Sequence, residues 1–353
     1  MELKAWLLDH YGSTTFNVCE HQTLPKMTGP PLRLNMDPAA TPVAVHKPAS
    51  VPLHWQEKVK SDLDRDVRLG VIERVPENTP VTWLSRLVVT SKANGDPRRT
   101  VDMQPQNRAS VRQTYPVESP FKLASRVPNG KKKTVIDSWN GYHSVPIHED
   151  DRHVTSFLTP WGRYRYRKAP QGFLASGDGY NERYDAIMTD IKAKVRCVDD
   201  TCTWADTVQD SFLDTCRLLN TCAENGITLN PSKFQFCQDV VQFAGLEITN
   251  TNIRPCQKFL DAIQNFPTPS DISGARGWFG LVNQGAYAFS MTEEMAPFRH
   301  LLKPRVQFQW TDELDQLFKK SKSVIIEKIK EGVAIFDPSL PVSYTHLTLP
   351  TKA

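Results

Sequence analysis

Three aspartates stand where a two-metal site could form. Asp199 and Asp200 are adjacent at a tight turn, and Asp137 ends the β-branched run 134–136. Mg²⁺ takes hard oxygen ligands, typically one or two carboxylates plus substrate phosphates. A pair of such ions roughly 3.5–4 Å apart activates a hydroxyl nucleophile and stabilises the leaving group. The residue types therefore indicate metal-assisted transfer of a phosphoryl group, with a 3′-hydroxyl attacking and pyrophosphate leaving.

An Asp-Asp pair alone is a weak signal, because one is expected about once by chance in a chain of this length. A second pair, Asp150-Asp151, follows His148-Glu149 and predicts a solvated turn. The interpretation of the first pair therefore depends on the elements around it.

Composition sets broad limits on the class of protein. The chain has 353 residues, 39% hydrophobic and 23% charged, which suits a globular protein of two or three lobes. No apolar run has the length of a signal peptide or of a membrane span. Seven cysteines without C-x-x-C spacing predict free thiols in a reducing compartment.

The net charge is +4, from 43 basic and 39 acidic residues. Such a balance permits a polyanionic partner without requiring one. Basic side chains are clustered at residues 98–99, 131–133 and 163–168.

Periodicity predicts the elements that would position the aspartates. Helices are predicted near 55–69, 176–192 and 208–225, and strands at 84–90, 98–102, 228–229 and 240–249. A hairpin is predicted at 155–168, and mostly helix after 270. This order favours an α+β fold in which an antiparallel sheet is backed by helices.

Six motifs in a fixed order resemble the reverse transcriptases of gypsy-type LTR retrotransposons. They lie at residues 88–107, 136–143, 170–173, 198–200, 229–233 and 243–246. The resemblance covers about residues 50–340. It implies an RNA-directed DNA polymerase from a Pol polyprotein, shaped as a right hand of fingers, palm and thumb. Two Mg²⁺ ions (or Mn²⁺), an RNA or DNA template-primer and dNTPs would be its cofactors and partners, with no membrane and an open oligomeric state.

The same resemblance implies domain boundaries. Residues 1–50 would be a linker or extension, 51–132 the fingers with the start of the palm, and 133–250 the palm with a fingers hairpin at 151–170. Residues 251–300 would be the thumb, and 301–341 a connection leading towards RNase H.

The resemblance to gypsy-type reverse transcriptases also assigns roles to the site residues. Asp137, Asp199 and Asp200 resemble the metal-binding triad, and Lys92 and Arg98 match basic residues that grip the triphosphate. The alternative for Lys92 and Arg98 is an exposed hairpin with ordinary surface charge.

Three further residues match the family's substrate site. Tyr142 stands at the position of the sugar gate, although it could be a core aromatic. Gln171 would lie beside nucleotide and template, although it could be a polar turn residue. Lys233 resembles a lysine that acts as general acid toward pyrophosphate.

Phe243, Gly245 and Leu246 resemble the primer grip, with a buried sheet edge as the alternative. Arg276 and Trp278 would lie on a thumb helix that follows the duplex backbone.

Two other interpretations stay open at this stage. One is an RNA-templated RNA polymerase, against which Tyr142 argues, because ribose-accepting polymerases use a smaller or hydrogen-bonding group there. The other is a catalytically dead retroelement fragment that only binds nucleic acid. In its favour, residues 342–353 hold no acidic residue and resemble a truncation scar, so we expect no RNase H, integrase or protease activity. Cytoplasmic particles are the family's usual location.

Overall fold

The computed structural model describes residues 2–92, 94–286, 289–303 and 306–335. The predicted lead-in to RNase H after residue 335 and the tail at 342–353 lie outside this part of the chain.

Helices and strands alternate along most of the described chain. In chain order they are α1 (Glu2–His10), α2 (Leu53–Arg68), β1 (Ile72–Arg74), β2 (Ser85–Ser91), β3 (Pro97–Val101), α3 (Gln104–Ala109), α4 (Pro120–Ala124), β4 (Lys132–Asp137), β5 (Phe157–Thr159), β6 (Gly162–Tyr166), α5 (Leu174–Ile187), β7 (Lys194–Cys197), β8 (Asp200–Ala205), α6 (Val208–Glu224), β9 (Gln235–Gln238), β10 (Val241–Phe243), β11 (Leu246–Ile248), β12 (Asn252–Pro255), α7 (Gln257–Gln264), α8 (Ile272–Gly285), α9 (Thr292–Met295), α10 (Asp312–Lys330) and β13 (Val333–Ala334). Short 3₁₀ turns lie at Gly141–Ser144, Glu149–Thr155, Pro231–Lys233 and Ala296–Leu302.

The chain divides into two compact units. Unit 1 comprises residues 1–118 and 134–237, and unit 2 comprises residues 119–133 and those from 238 onward. The chain passes between the units at three points: before α4 at residues 118–119, within β4 at 133–134 and within β9 at 237–238. The boundaries of fingers, palm and thumb that the resemblance implies stay a prediction.

Two sheets build unit 1. One has the order β1-β6-β5-β2-β3 and is mixed, because β2 pairs with β5 in parallel and with β3 antiparallel. The other has the order β7-β8-β4-β9 and carries the aspartates, with β7 and β8 antiparallel. Helices α5 and α6 bury Tyr180, Tyr184, Leu218 and Leu219 in one core with Ile136 of β4.

Unit 2 has its own sheet and its own core. The sheet order is β10-β11-β12-β13, antiparallel throughout. The core is aromatic: Trp278 of α8 is 1% exposed and packs against Phe266 and Phe318, with ring centroids 5.4 Å and 4.9 Å apart.

Most predicted elements are present with small shifts. Helices α2, α5 and α6, both hairpins and the helical region after 270 follow the periodicity. The strand predicted at 240–249 is wrong, because Ala244 and Gly245 have φ of 48° and 81° and turn it into the β10–β11 hairpin. Leu229 makes only an isolated bridge to Ser138, and β9 was not predicted.

The N-terminal 50 residues are an extension that packs, not an unpacked linker. Leu7 of α1 is fully buried, and Tyr11, Phe16 and Met27 join the core that holds α5 and α6. The Tyr11 hydroxyl donates to Asn220 Oδ1 at 2.8 Å. No pattern in the sequence indicated α1, because its nine residues show little helical periodicity.

Candidate functional site

Asp199 lies in a two-residue turn that closes the β7–β8 hairpin. Cys197 pairs with Asp200, which leaves Val198 and Asp199 as the central residues. Val198 has φ of 54°. Two-residue hairpins require positive φ at their first central position, but a β-branched residue pays about 1–3 kcal/mol for it. The turn therefore carries local strain directly before the aspartate.

Main-chain hydrogen bonds hold Asp137 next to this turn. The amide of Ser138 donates to Asp199 O at 2.9 Å, and the amide of Asn230 donates to Asp137 O at 2.8 Å. Asp137 itself is buried. The end of β4, the Asp-Asp turn and the Leu229–Lys233 segment thus meet at one point, as the sequence predicts.

The charges at this point interact strongly. Burial, and then the negative charge of Asp137, raise the pKa of Asp199 above its usual value. Lys233 Nζ donates to Asp137 Oδ2 at 2.8 Å, and this bond raises the pKa of the Lys233 ammonium. Lys233 therefore stays protonated and neutralises part of the acidic cluster.

The donor atoms fit a hard divalent cation, although they are not assembled as a ready site. Among the residues that the structure describes, no three His, Cys, Asp or Glu side chains are grouped to hold a metal. Asp137 and Asp199 are close enough for their like charges to oppose ionisation, and carboxylate oxygens are what Mg²⁺ prefers. Lys233 would have to release Asp137 when an ion binds.

Tyr142 lies beside the acidic cluster. It belongs to the Gly141–Ser144 turn, and its ring meets the ring of Tyr180 edge-on at 5.3 Å. Burial, and then the charge of Asp199, raise the pKa of the Tyr142 hydroxyl. Tyr142 is only half-buried and lines an open groove with Phe173 and Asn181. The ring thus packs against the core of unit 1 and also borders an open groove.

Lys92, Arg98 and Gln171 line one cavity of about 470 Å³ in unit 1. Lys92 directly follows β2, and Arg98 on β3 lies opposite Thr90 on β2; both basic side chains are exposed. Asn140 and His143, on either side of the Gly141-Tyr142 pair, line the same cavity. Of the four residues predicted to bind substrate, Lys92, Arg98 and Gln171 are therefore brought together, whereas Tyr142 lines a different groove.

Asn107 holds the turn that carries Gln171, a role that sequence reasoning did not assign. Its side-chain amide donates to Gly172 O at 2.8 Å, and its carbonyl accepts from the amide of Leu174 at 2.9 Å. Gly172 has φ of 90°, a conformation that favours glycine. Asn107 thus connects the residues after β3 to the start of α5.

The predicted primer-grip residues lie in unit 2. Phe243 and Leu246 are opposite each other on β10 and β11, and both are buried. Gly245 completes the turn between them. The arrangement is that of a tight hairpin with an apolar base.

The second Asp-Asp pair has a structural role. Asp150 is exposed, as predicted, but Asp151 is buried. Asp151 accepts from Arg33 Nε at 2.7 Å and from the amide of Leu34 at 2.9 Å. The prediction of a solvated turn is wrong for Asp151, because its partner lies far away in the sequence.

Comparison with known proteins gives concordant matches. The family model described as reverse transcriptase (RNA-dependent DNA polymerase) matches residues 91–248. The Pol polyprotein of the Drosophila melanogaster transposon 412 is 26% identical over 281 residues, 76% of this chain and 22% of that protein. The enzymatic polyprotein of cauliflower mosaic virus (strain NY8153) is 24% identical over 297 residues, 81% of this chain and 42% of that protein. The chain thus spans less than half the length of these relatives.

Solved structures show the same fold. The foamy viral protease–reverse transcriptase, in a structure with an RNA/DNA hybrid, superposes with a TM-score of 0.80 at 21% identity, over 91% of this chain and 43% of that chain. A second structure of that protein, with double-stranded DNA, gives a TM-score of 0.79 at 21% identity, over 92% and 56%. The likeness confirms the α+β architecture. No helix in the described ranges is long and apolar enough to cross a bilayer.

Proposed function

We propose that the chain, which contains a reverse transcriptase domain related to the Pol polyproteins of transposons 412 and gypsy and to foamy virus reverse transcriptase, performs template-directed DNA synthesis. The reaction would extend the 3′ end of a primer with dNTPs on an RNA or DNA template. The meeting of Asp137 with the Asp199 turn is the observation that carries this proposal.

Asp137, Asp199 and Asp200 would hold Mg²⁺ or Mn²⁺. When bound, the ions would supply Lewis-acid activation of the primer hydroxyl and neutralise charge on the phosphates. Holding two carboxylates close together against their mutual repulsion costs stability, and this cost is recovered when a cation binds.

Lys233 would then be released from Asp137 and become available to the leaving pyrophosphate. Lysine is ordinarily protonated at neutral pH, so the released ammonium can still act as a proton donor. Its side chain is 60% exposed, so it can reorient at little cost.

Lys92 and Arg98 would bind the triphosphate in the cavity that they share with Gln171. Phosphoryl transfer is catalysed mainly by positioning and charge neutralisation, which a cationic cavity provides. Tyr142 would exclude ribose, because its ring stands at the open surface beside Asp199. Phe243, Gly245 and Leu246 would hold the primer end.

The first sheet of unit 1 would belong to the fingers, the aspartate-bearing sheet to the palm, and α8 to the thumb. The foamy viral structures carry an RNA/DNA hybrid or double-stranded DNA, which supports nucleic acid as the partner. The seven cysteines are all free thiols, which supports an intracellular setting such as a virus-like particle.

Primer extension tests the proposal. Full-length protein is incubated with oligo(dT) annealed to poly(rA), dTTP and Mg²⁺. We expect extension by the wild type, none by Asp199→Asn/Asp200→Asn, and unchanged extension by Asp150→Asn, which alters an exposed aspartate of the second pair.

No extension by folded wild-type protein would refute the proposal and favour an inactive fragment. Extension with UTP as readily as with dTTP would favour an RNA polymerase instead.

A further inference from the structure

Arg196, on strand β7, is buried among polar partners that the predicted chemistry does not use. Its side chain is 6% exposed. Nε and Nη2 bind both carboxylate oxygens of Asp185, at 2.7 Å and 3.0 Å. Nη1 donates to Asn181 Oδ1 at 2.7 Å, and Nη2 donates to Asn181 O at 3.2 Å.

The remaining bond reaches the turn that carries Asp199. Arg196 Nη1 also donates to Val198 O at 2.8 Å. All five N–H groups of the guanidinium are thus in use, and its plane lies over the ring of Tyr184 at 4.9 Å. Arg196 is fixed to helix α5 by four of the five hydrogen bonds and by the ring contact. The fifth hydrogen bond holds the carbonyl oxygen of Val198, the residue with positive φ.

We propose that Arg196, clamped by Asp185 and Asn181, is a positioning residue that fixes the Val198-Asp199 turn beside Asp137, where the two carboxylates would share a metal ion. The inference rests on the proposed function, because it assigns a purpose to the turn. Val198 adopts positive φ only if something compensates for the strain. The hydrogen bond to its carbonyl is a direct means of doing so, and α5 provides the rigid support.

A purely structural contact would change only the stability of the fold, whereas a contact that positions a metal ligand must also change the affinity for the metal ion. Arg196→Lys separates the two, because lysine keeps the positive charge near Asp199 but has three donors without the planar fork. Replacing a group that orients a metal ligand weakens metal affinity roughly 10–100-fold. We expect that loss in Arg196→Lys, and a smaller loss in Asp185→Asn.

The experiment measures Mn²⁺ binding to full-length protein by electron paramagnetic resonance, with thermal melting in parallel. Asp199→Asn is the control variant that should lose Mn²⁺ binding, and Asp150→Asn is the control variant that should retain it. Val198→Gly removes the steric cost of positive φ, so Arg196→Lys should weaken Mn²⁺ binding less in that background than in the wild type.

The outcomes are distinct. Mn²⁺ affinity of Arg196→Lys within twofold of wild type, whatever its Tm, would overturn the proposal. So would an equal loss in the Val198→Gly background, because the turn strain would then be irrelevant. Wild-type protein that binds Mn²⁺ no better than Asp199→Asn would instead refute the metal site itself.

Discussion

Gly141 precedes the predicted sugar gate and allows no side chain. A Cβ at this position would lie 2.6 Å from Tyr180 Cζ and 2.7 Å from both Cε2 and the hydroxyl oxygen. Tyr180 is 1% exposed, and the rings of Tyr142 and Tyr184 lie 5.3 Å and 5.9 Å from it. The ring therefore has little room to move away from an added methyl group.

Gly141→Ala should consequently destabilise the protein at the upper end of the range for overpacked cores, about 3 kcal/mol. In a folding unit of the size of unit 1, each kcal/mol of destabilisation lowers Tm by about 2–4 °C. The expected decrease in Tm is therefore roughly 6–12 °C. Thermal melting by circular dichroism measures it. The displaced turn should also move Tyr142, so ribonucleotide incorporation should rise in the same variant.

Two further variants test this reasoning. Gly177→Ala, in α5, places its Cβ 3.9 Å from the Tyr142 hydroxyl, an ordinary contact, and should stabilise the helix by about 0.5–1 kcal/mol. Tyr180→Leu replaces the obstructing ring with a smaller side chain. The double variant with Gly141→Ala should therefore lose less free energy of unfolding than the two single variants lose in sum, with a difference of over about 1 kcal/mol. A Tm for Gly141→Ala within about 1 °C of wild type, or simple additivity, would refute the clash.

Three other outcomes are expected. Tyr142→Val should raise incorporation of UTP relative to dTTP, because the ring no longer blocks a 2′-hydroxyl; an unchanged ratio in primer extension would remove the gate assignment. Arg98→Ala should raise the KM for dTTP roughly 10–100-fold with a smaller change in kcat, as the loss of a charged hydrogen bond worth about 1.5–3 kcal/mol implies; a change in kcat alone would contradict it. Asp199→Asn should raise the Tm in EDTA at pH 7. Folding raises the pKa of Asp199, so the ionised carboxylate destabilises the folded protein above that pKa, and asparagine removes this charge. This gain should disappear as the pH falls below the unfolded value of 3.8, and a gain that persists there would refute the electrostatic origin.

Local patterns predicted the elements well where they repeat at a clear period. The four-residue spacing of apolar side chains in α2 and the turn at residues 160–162 were sufficient, because both are set by nearby residues. The hairpin at 241–248 was missed because Ala244 in a left-handed conformation gives no signal in the sequence. The same limit applies to α1, because its Trp6 packs against Phe212, more than 200 positions away.

The site shows a similar division. The residue types of the aspartates, Lys92 and Arg98 would be set by the chemistry that they perform, so motif spacing predicts them, and their roles stay a prediction. Asn107 and Arg196 act through backbone carbonyls and amides, which carry no residue-specific pattern. Only the three-dimensional contacts identify such residues, and the buried role of Asp151 was missed for the same reason.

Two features around Asp199 cost stability without a ligand, and the Lys233–Asp137 hydrogen bond offsets part of that cost. The Val198 turn is strained, the carboxylates of Asp137 and Asp199 repel each other, and Lys233 is held by a bond that it would have to give up. A fold keeps such costs only where surrounding contacts exceed them, and Arg196 with its five hydrogen bonds supplies such contacts. Stability and metal affinity should therefore change in opposite directions at Asp199 and in the same direction at Arg196. That contrast separates a residue that binds the metal from one that positions it.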